Sequence, residues 1–112
     1  MTMPRPNPKS SDTFVAFILD QMQMIPELTY KRMFGGVGYY SGGIFFAIAY
    51  EGRLFFRTSE ASRVAYERAG MPVFRPKERQ TLGRYYEVPP HVVEDRNELL
   101  VWARIAVGSA EG

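Results

Sequence analysis

Residues 37–57, VGYYSGGIFFAIAYEGRLFFR, decide the fold because they hold three strand-like runs joined by two short turns. The runs, rich in the aromatic and branched residues that favour strands, are Val37–Tyr40, Ile44–Tyr50 and Arg53–Arg57. Ser41-Gly42-Gly43 and Glu51-Gly52 are too short for a parallel crossover, so the strands form an antiparallel meander. Ile44–Tyr50 is apolar on both faces, which predicts a central strand covered on both sides.

The segment before this core predicts a helix and one more strand. Apolar residues recur at helical spacing after Ser10 and Ser11, either of which can cap the helix. These apolar positions are Phe14, Phe17, Ile18 and Met22. Pro26 ends the helix, and Leu28–Phe34 is predicted to be the first strand.

The segment after the core predicts a middle helix, a loop and a strand. Thr58 or Ser59 is expected to cap the helix, and Gly70 to end it. Its buried face is predicted to comprise Ala61, Val64, Ala65 and the stem of Arg68. Met71–Gln80 contains two prolines among charged residues and is interpreted as a loop, whereas Thr81–Val88 is strand-like and ends at Pro89-Pro90.

The last helix has the clearest start, because Asp95 and Glu98 have the spacing of a capping box. One apolar stripe contains Leu99, Trp102, Ala103 and Ala106. A second apolar set covers most of the remaining circumference and is predicted to form an interface; it contains Leu100, Val101, Ile105 and Val107. A helix that is apolar nearly all round is either deeply buried or part of an interface.

This order of elements predicts an α+β fold, in which an antiparallel meander sheet carries an N-terminal, a middle and a C-terminal helix. A chain of 112 residues is long enough for one core. Residues 1–10 hold three prolines and no apolar run, which indicates a flexible lead-in rather than a secretion signal. Residues 11–108 are predicted to form the single domain, and residues 109–112 a tail.

Composition excludes several kinds of site. The chain has no cysteine, which excludes disulfides, thiol nucleophiles and thiolate metal sites and fits the reducing cytoplasm. His91 is the only histidine and lies in a predicted loop, so we predict no catalytic residues, no metal and no cofactor. The acidic group Glu94, Asp95 and Glu98 is explained by the start of the last helix, where negative charge is favourable. No apolar run reaches the length of a membrane-spanning helix.

A basic segment predicts a second kind of surface. Between Arg53 and Arg84 there are eight basic residues against three acidic ones, although the whole chain has a net charge of only +2. The residues predicted to bind nucleic acid or another anion are Arg53, Phe55, Arg57, Arg75, Lys77, Arg79 and Arg84. Arginine beside an exposed aromatic ring can contact phosphates and stack on bases. The simpler interpretation is that the arginine stems cover apolar surface and their charges stay solvated.

An ordered set of short pieces resembles the N-terminal domain of the TfoX (Sxy) competence-regulator family. The pieces are Met33-Phe34-Gly35-Gly36, Gly38, Ile44-Phe45-Phe46, Leu54-Phe55-Phe56-Arg57-Thr58, Tyr86-Glu87-Val88-Pro89, Asp95, Leu99 and Trp102-Ala103. The resemblance runs from about residue 12 to residue 107. It implies the same α+β fold, a bacterial source and a link to the regulation of DNA uptake, and it brings no catalytic residues with it.

Three hypotheses of function follow. The first is a non-enzymatic regulatory or adaptor domain that binds another protein, or a second copy of itself, through the last helix. The second is a nucleic-acid-binding module that uses the basic segment. The third is a small-ligand binder or an enzyme with a pocket lined by glutamates and tyrosines.

Overall fold

The computed structural model describes residues 12–33, 35–77 and 80–112. Within these residues, four helices and six strands follow one another. They are α1 (Asp12–Gln21), β1 (Leu28–Met33), β2 (Gly36–Ser41), β3 (Ile44–Tyr50), β4 (Arg53–Arg57), α2 (Arg63–Arg68), β5 (Val73–Lys77), β6 (Gln80–Glu87), α3 (Pro90–Val93) and α4 (Arg96–Glu111). The predicted α+β fold with an antiparallel sheet and three main helices is confirmed. The predicted lead-in, residues 1–10, lies outside the described residues.

The strands form one antiparallel sheet in the order β1-β2-β3-β4-β6-β5. The first four strands are a meander, as predicted. The sixth strand then enters between β4 and β5, pairing Arg57 with Tyr85 on one side and Phe74 with Leu82 on the other. The fifth strand is therefore an edge strand.

Two tight turns set the register of the meander. Gly42 and Gly43 both have positive φ angles, of 55° and 86°, and so do Glu51 and Gly52 at the next turn. Two-residue turns with this backbone match the right-handed twist of the strands that they join. Ser41 therefore pairs with Ile44, and Tyr40 with Phe45.

A β-bulge in the third strand changes which side chains share a face. Tyr39 pairs with Ala47 and Tyr40 with Phe45, so Phe46 is the extra residue. Phe46 and Ala47 both join the core on one side of the sheet, while Phe45 packs on the other side. The predicted central position of this strand is confirmed, since residues 46–49 are all buried.

The two sides of the sheet have separate cores. The larger core lies under α1, α3 and α4, and its fully buried members include Ile18, Leu54 and Leu99. The smaller core is built, within the described part of the chain, by strand residues alone; its buried members are Ile48, Phe55, Phe74 and Tyr85. We call this second side the helix-free face.

The helices are joined to one another by polar contacts as well. The amide of Gln21 donates to the carbonyl of Val93 at 3.0 Å, which ties α1 to α3. Arg96 at the start of α4 binds the Asp20 carboxylate at 2.7 Å and the Asp20 carbonyl at 3.1 Å. Asp95 caps α4 as predicted, because its carboxylate accepts from the backbone N–H of Glu98 at 3.0 Å.

The structure corrects the prediction of a loop over Met71–Gln80. Residues 73–77 form β5, and Pro76 is tolerated there because an edge strand leaves one row of N–H groups unpaired. Phe74, which is 1% exposed, anchors this strand in the smaller core, although most of the segment is polar or proline.

The predicted buried face of the middle helix is also wrong. Ala61, Val64 and Ala65 are exposed, and Tyr66 is the buried residue of α2. Such a short helix can bury one large side chain without a full apolar stripe. The ring of Tyr66 packs edge-on against that of Trp102, with the ring centroids 4.9 Å apart. The predicted cap, Thr58 or Ser59, is wrong as well, because the N-cap of α2 is Ser62, which makes no side-chain capping bond. The Ser59 hydroxyl accepts from the backbone N–H of Ser62 at 3.1 Å in the turn before the helix.

Two boundaries near the C-terminal end differ from the prediction. The Pro89-Pro90 pair ends β6 and also begins the short helix α3, on which His91 is exposed. The last helix continues to Glu111, which places most of the predicted tail in α4. None of the helices in the described ranges is long and apolar enough to cross a membrane.

Candidate binding surfaces

The residues of the basic segment do not form one surface. Arg53 begins β4 and is exposed, with its Nε atom 4.0 Å from Oε2 of Glu87. Phe55, predicted to offer an open ring for stacking, is only 3% exposed because Phe74 packs on it with ring centroids 4.7 Å apart. Phe74 belongs to β5, which lies within the segment interpreted as a loop.

The remaining basic residues point in several directions. Arg75 is exposed on β5, next to the inward-facing Phe74, and Lys77 is the last residue of that strand. Arg84 is exposed and lines a polar depression beside Arg63 at the start of α2. Arg79 lies outside the described residues.

Arg57 occupies a different setting from the rest of the basic segment. It is half-buried and pairs across the sheet with Tyr85. Burial raises the pKa of the Tyr85 hydroxyl, and the hydrogen bond and positive charge of Arg57 oppose that rise. The Nε atom of Arg57 is buried and has no hydrogen-bond partner among the described residues.

Arg57 is one end of a row of side chains that crosses the helix-free face. The ring of Tyr85 lies 5.3 Å from that of Phe45, and the ring of Phe45 lies 5.2 Å from that of Tyr40 in a stacked arrangement. At the other end, Nζ of Lys31 is 5.3 Å from the centre of the Tyr40 ring. We call these five residues, Lys31, Tyr40, Phe45, Tyr85 and Arg57, the aromatic row.

Most of this row could not be predicted from the sequence, because its members come from five strands. One signal was available. Tyr40 and Phe45 flank the Gly42-Gly43 turn symmetrically, and a two-residue turn requires those two residues to pair and to share a face. The contribution of Tyr85 depends on the entry of β6 beside β4, which no local pattern indicates.

Gly38 allows the row to lie close to the sheet. A Cβ atom at this position would stand 2.7 Å from Cε of Met33 and 2.9 Å from Cε1 of Phe45. The neighbouring Gly36 has the same function against β3, where a Cβ atom would meet the backbone of Ala49. Gly36 and Gly38 therefore allow close strand packing.

The predicted interface on α4 divides into a buried and an exposed half. Leu100 and Val107 are half-buried and pack against the larger core. Val101 and Ile105 are 57% and 52% exposed and lie one helical turn apart. We call Val101 and Ile105 the outer stripe of α4.

A groove runs beside the same helix, between its C-terminal half and the β2–β3 turn. It has a volume of about 440 Å³. Apolar residues form its floor and charged residues its rim; the lining includes Ile25, Pro26, Ile44, Val107, Arg104 and Glu111. Arg104 is exposed and follows Val101 by three residues, so it connects the groove to the outer stripe.

A smaller cavity of about 250 Å³ lies at the opposite end of the helical layer. Phe14, Phe17 and Val93 supply apolar walls, and Glu87 and Arg53 stand at its edge. Burial raises the pKa of the Glu87 carboxyl, and the nearby Arg53 charge partly opposes this. The Glu87 side chain is 15% exposed, so its charge is poorly solvated.

Two other buried tyrosines, Tyr39 and Tyr66, belong to the larger core. The Tyr39 hydroxyl donates to the carbonyl of Val15 at 3.1 Å, and burial raises the pKa of Tyr39 and of Tyr66. Of the predicted acidic group, Asp95 is the N-cap of α4 and Glu98 lies in its first turn, whereas Glu94 is the C-cap of α3. Across the described ranges, no group of three histidine or acidic side chains is placed to hold a metal ion.

A known protein family matches the chain over most of its length. No curated protein matches the chain. The family model of the TfoX N-terminal domain matches residues 20–110, which begin at the end of α1 and include every strand and nearly all of α4. Because the match covers most of the 112 residues and all of the sheet, the chain belongs to the TfoX N-terminal domain family.

Proposed function

We propose that this domain is a non-enzymatic regulator that acts by binding another protein through α4. The observation that carries the proposal is the outer stripe, since Val101 and Ile105 remain exposed on a helix whose other large apolar residues all pack inward. Exposed apolar residues near a groove mark many protein-binding surfaces. The family supports a role in regulation related to competence, because its name comes from a regulator of natural competence.

The groove beside α4 favours a partner that presents a short apolar segment. Its floor offers Ile25, Ile44 and Val107, and Arg104 and Glu111 at its rim can pair with charges of the partner. A surface with an apolar centre and a charged rim is the usual arrangement of an interface. The following experiment distinguishes a second copy of this chain from a different protein as the partner.

The test places a photo-activated cross-linking amino acid at Val101 of the full chain in its native host. We expect a discrete adduct, and we expect no adduct when the same group replaces Glu51, an exposed residue of the β3–β4 turn. The mass of the adduct distinguishes a second copy from a different protein. Equal adducts at the two positions, or none at Val101, would contradict the proposal.

The identified partner is then purified and titrated against substituted domains. Val101→Asp should weaken binding by about tenfold or more, because it places an unpaired charge in an apolar contact. Val64→Asp is the matched control, since Val64 is a 45% exposed valine on α2. Equal losses for the two substitutions would show that the outer stripe has no special part in binding.

A further inference from the structure

The aromatic row lies on the side of the sheet that is remote from α4, and we propose that it binds single-stranded nucleic acid. The row joins three neighbouring rings, Tyr40, Phe45 and Tyr85, with a basic side chain at each end. Of the residues that the sequence predicted to bind nucleic acid, only Arg57 belongs to the aromatic row.

The rings supply a stacking platform. Tyr40 and Phe45 are both partly exposed, and their planes differ by only 28°. Tyr85 is 6% exposed and lies beside Phe45, where its hydroxyl donates to the Phe45 carbonyl at 3.3 Å and fixes the strand. Bases stack on aromatic side chains of antiparallel sheets whatever their sequence, because every base has a π face.

The two cations supply contacts for phosphates. The ion pairs formed among the described residues involve neither Lys31 nor Arg57. Lys31 is exposed, and Arg57 has a buried Nε atom without a partner beside the Tyr85 hydroxyl. A phosphate group offers a negative charge to both cations, whereas an apolar peptide would desolvate them without an opposite charge.

The geometry favours a single strand over a duplex. In a duplex the base faces are stacked on one another, so they cannot reach Tyr40 or Phe45, and only phosphates remain for contact. A single strand offers base faces and phosphates together. DNA and RNA share this chemistry, and the experiment distinguishes them.

The test is fluorescence anisotropy of labelled oligonucleotides titrated with the full chain. The probes are oligo-dT and oligo-rU of about 12 nucleotides and a DNA duplex of the same length. We expect a Kd for at least one single strand on the order of 10⁻⁴–10⁻⁶ M that rises with salt, and weaker binding of the duplex. The better ligand of oligo-dT and oligo-rU then identifies the kind of strand.

The key variant is Lys31→Gln combined with Arg57→Gln. It should weaken binding by about tenfold or more and flatten the slope of log K against log salt by about 1.4, which is two phosphate contacts at about 0.7 each. Tyr40→Leu keeps the apolar bulk but removes the ring, and it should weaken binding about fivefold or more. Thermal melts of each variant show that the fold is kept.

Arg32→Gln is the matched control. Arg32 is adjacent to Lys31 on β1, but its side chain turns to the helical side, where it binds Asp12 of α1 at 2.8 Å. The control removes one positive charge and should change Kd less than about twofold. Lys31→Gln alone is the variant least able to disturb folding, because Lys31 is exposed.

Three results would overturn the proposal. They are no binding of either single strand at low salt, tighter binding of the duplex than of both single strands, and equal effects of Lys31→Gln and Arg32→Gln. Binding of one single strand that depends on Lys31, Arg57 and the Tyr40 ring supports it.

Discussion

Gly36 and Gly108 differ in the space available for a Cβ atom. A Cβ atom on Gly36 would stand against the backbone carbonyl oxygen of Ala49 and 3.0 Å from Cδ1 of Tyr50. A Cβ atom on Gly108, in α4, would meet nothing within 4 Å.

Alanine should therefore have opposite effects at these two positions. We expect Gly36→Ala to lower the free energy of unfolding by about 1–3 kcal/mol, because two paired strands must move apart. Gly108→Ala should raise it by about 0.5–1 kcal/mol, because alanine loses less backbone entropy in a helix. Urea unfolding followed by circular dichroism measures both, and a change of the same sign for both substitutions would contradict this interpretation of the two sites.

Glu87 should make stability depend on pH. Burial, partly opposed by Arg53, raises the pKa of its carboxyl in the folded chain. The folded state then holds the proton more tightly than the unfolded state, so stability falls as pH rises from the unfolded pKa, about 4.3, through the folded pKa. Glu87→Gln should remove this loss, because an amide carries no charge to desolvate.

The measurement is urea unfolding of both proteins at about pH 4 and about pH 7. The stability of the glutamine variant relative to the parent should increase with pH across this window. Loss of the Arg53 contact matters little, since the two side chains are 4.0 Å apart and Arg53 is 60% exposed. A relative stability that stays constant or decreases with pH would contradict the expectation.

At the scale of elements, the β5–β6 hairpin depends on one side chain. The ring centroid of Phe74 lies 4.7 Å from that of Phe55 and 5.3 Å from that of Tyr50, which it meets edge-on. The Tyr50 hydroxyl also donates to the Pro76 carbonyl at 3.4 Å. These contacts hold the edge strand over the helix-free face. Without the ring, β5 loses its aromatic contacts with β3 and β4.

Phe74→Ala should cost about 3–5 kcal/mol of unfolding free energy, the usual range for a buried phenylalanine. Phe74→Leu fills part of the space and should cost less, which keeps the test usable if the alanine variant does not fold. Hydrogen exchange should show the largest loss of protection in β5. Val101→Ala is the control on an exposed position, and it should change stability by less than about 0.5 kcal/mol.

Elements with a local signal could be predicted from the sequence, and those that depend on distant partners could not. The meander follows from the Gly42-Gly43 and Glu51-Gly52 turns, and the start of α4 from Asp95. The strand β5 could not be found in this way, because only its contact with distant rings outweighs Pro76 and its charges. Phe55 was misplaced for the same reason: its burial is caused by β5.

The candidate sites show the same limit. The sequence predicted an interface of four residues on α4. Only the packing of α4 shows that Val101 and Ile105 are exposed and that Leu100 and Val107 contact the core. The aromatic row needs both the bulge at Phe46 and the position of β6, and neither leaves a pattern in neighbouring residues. Arg57 belongs to both the predicted and the observed set, since its strand was predicted correctly.

At the scale of the whole molecule, the sheet separates the two proposed surfaces. The outer stripe of α4 lies on the helical side, and the aromatic row lies on the helix-free face. The outer stripe and the aromatic row have no residue in common. We therefore expect their two binding activities to be separable by substitution.

Val101→Asp should leave the Kd for a single strand unchanged within about twofold, and Lys31→Gln should leave the partner titration equally unchanged. Anisotropy and the partner titration, run on the same two variants, measure this. A loss of both activities in either variant would mean that the two surfaces are coupled through the sheet.

The entry of β6 between β4 and β5 also has a consequence for synthesis on the ribosome. The chain emerges from its N-terminal end, so β4 must wait with an open edge until α2, β5 and then β6 have been made. At about 5–20 residues per second this interval lasts a few seconds. During it Phe55, which β5 later covers, is exposed to other nascent chains, and we expect this interval to be the one in which folding most needs a chaperone.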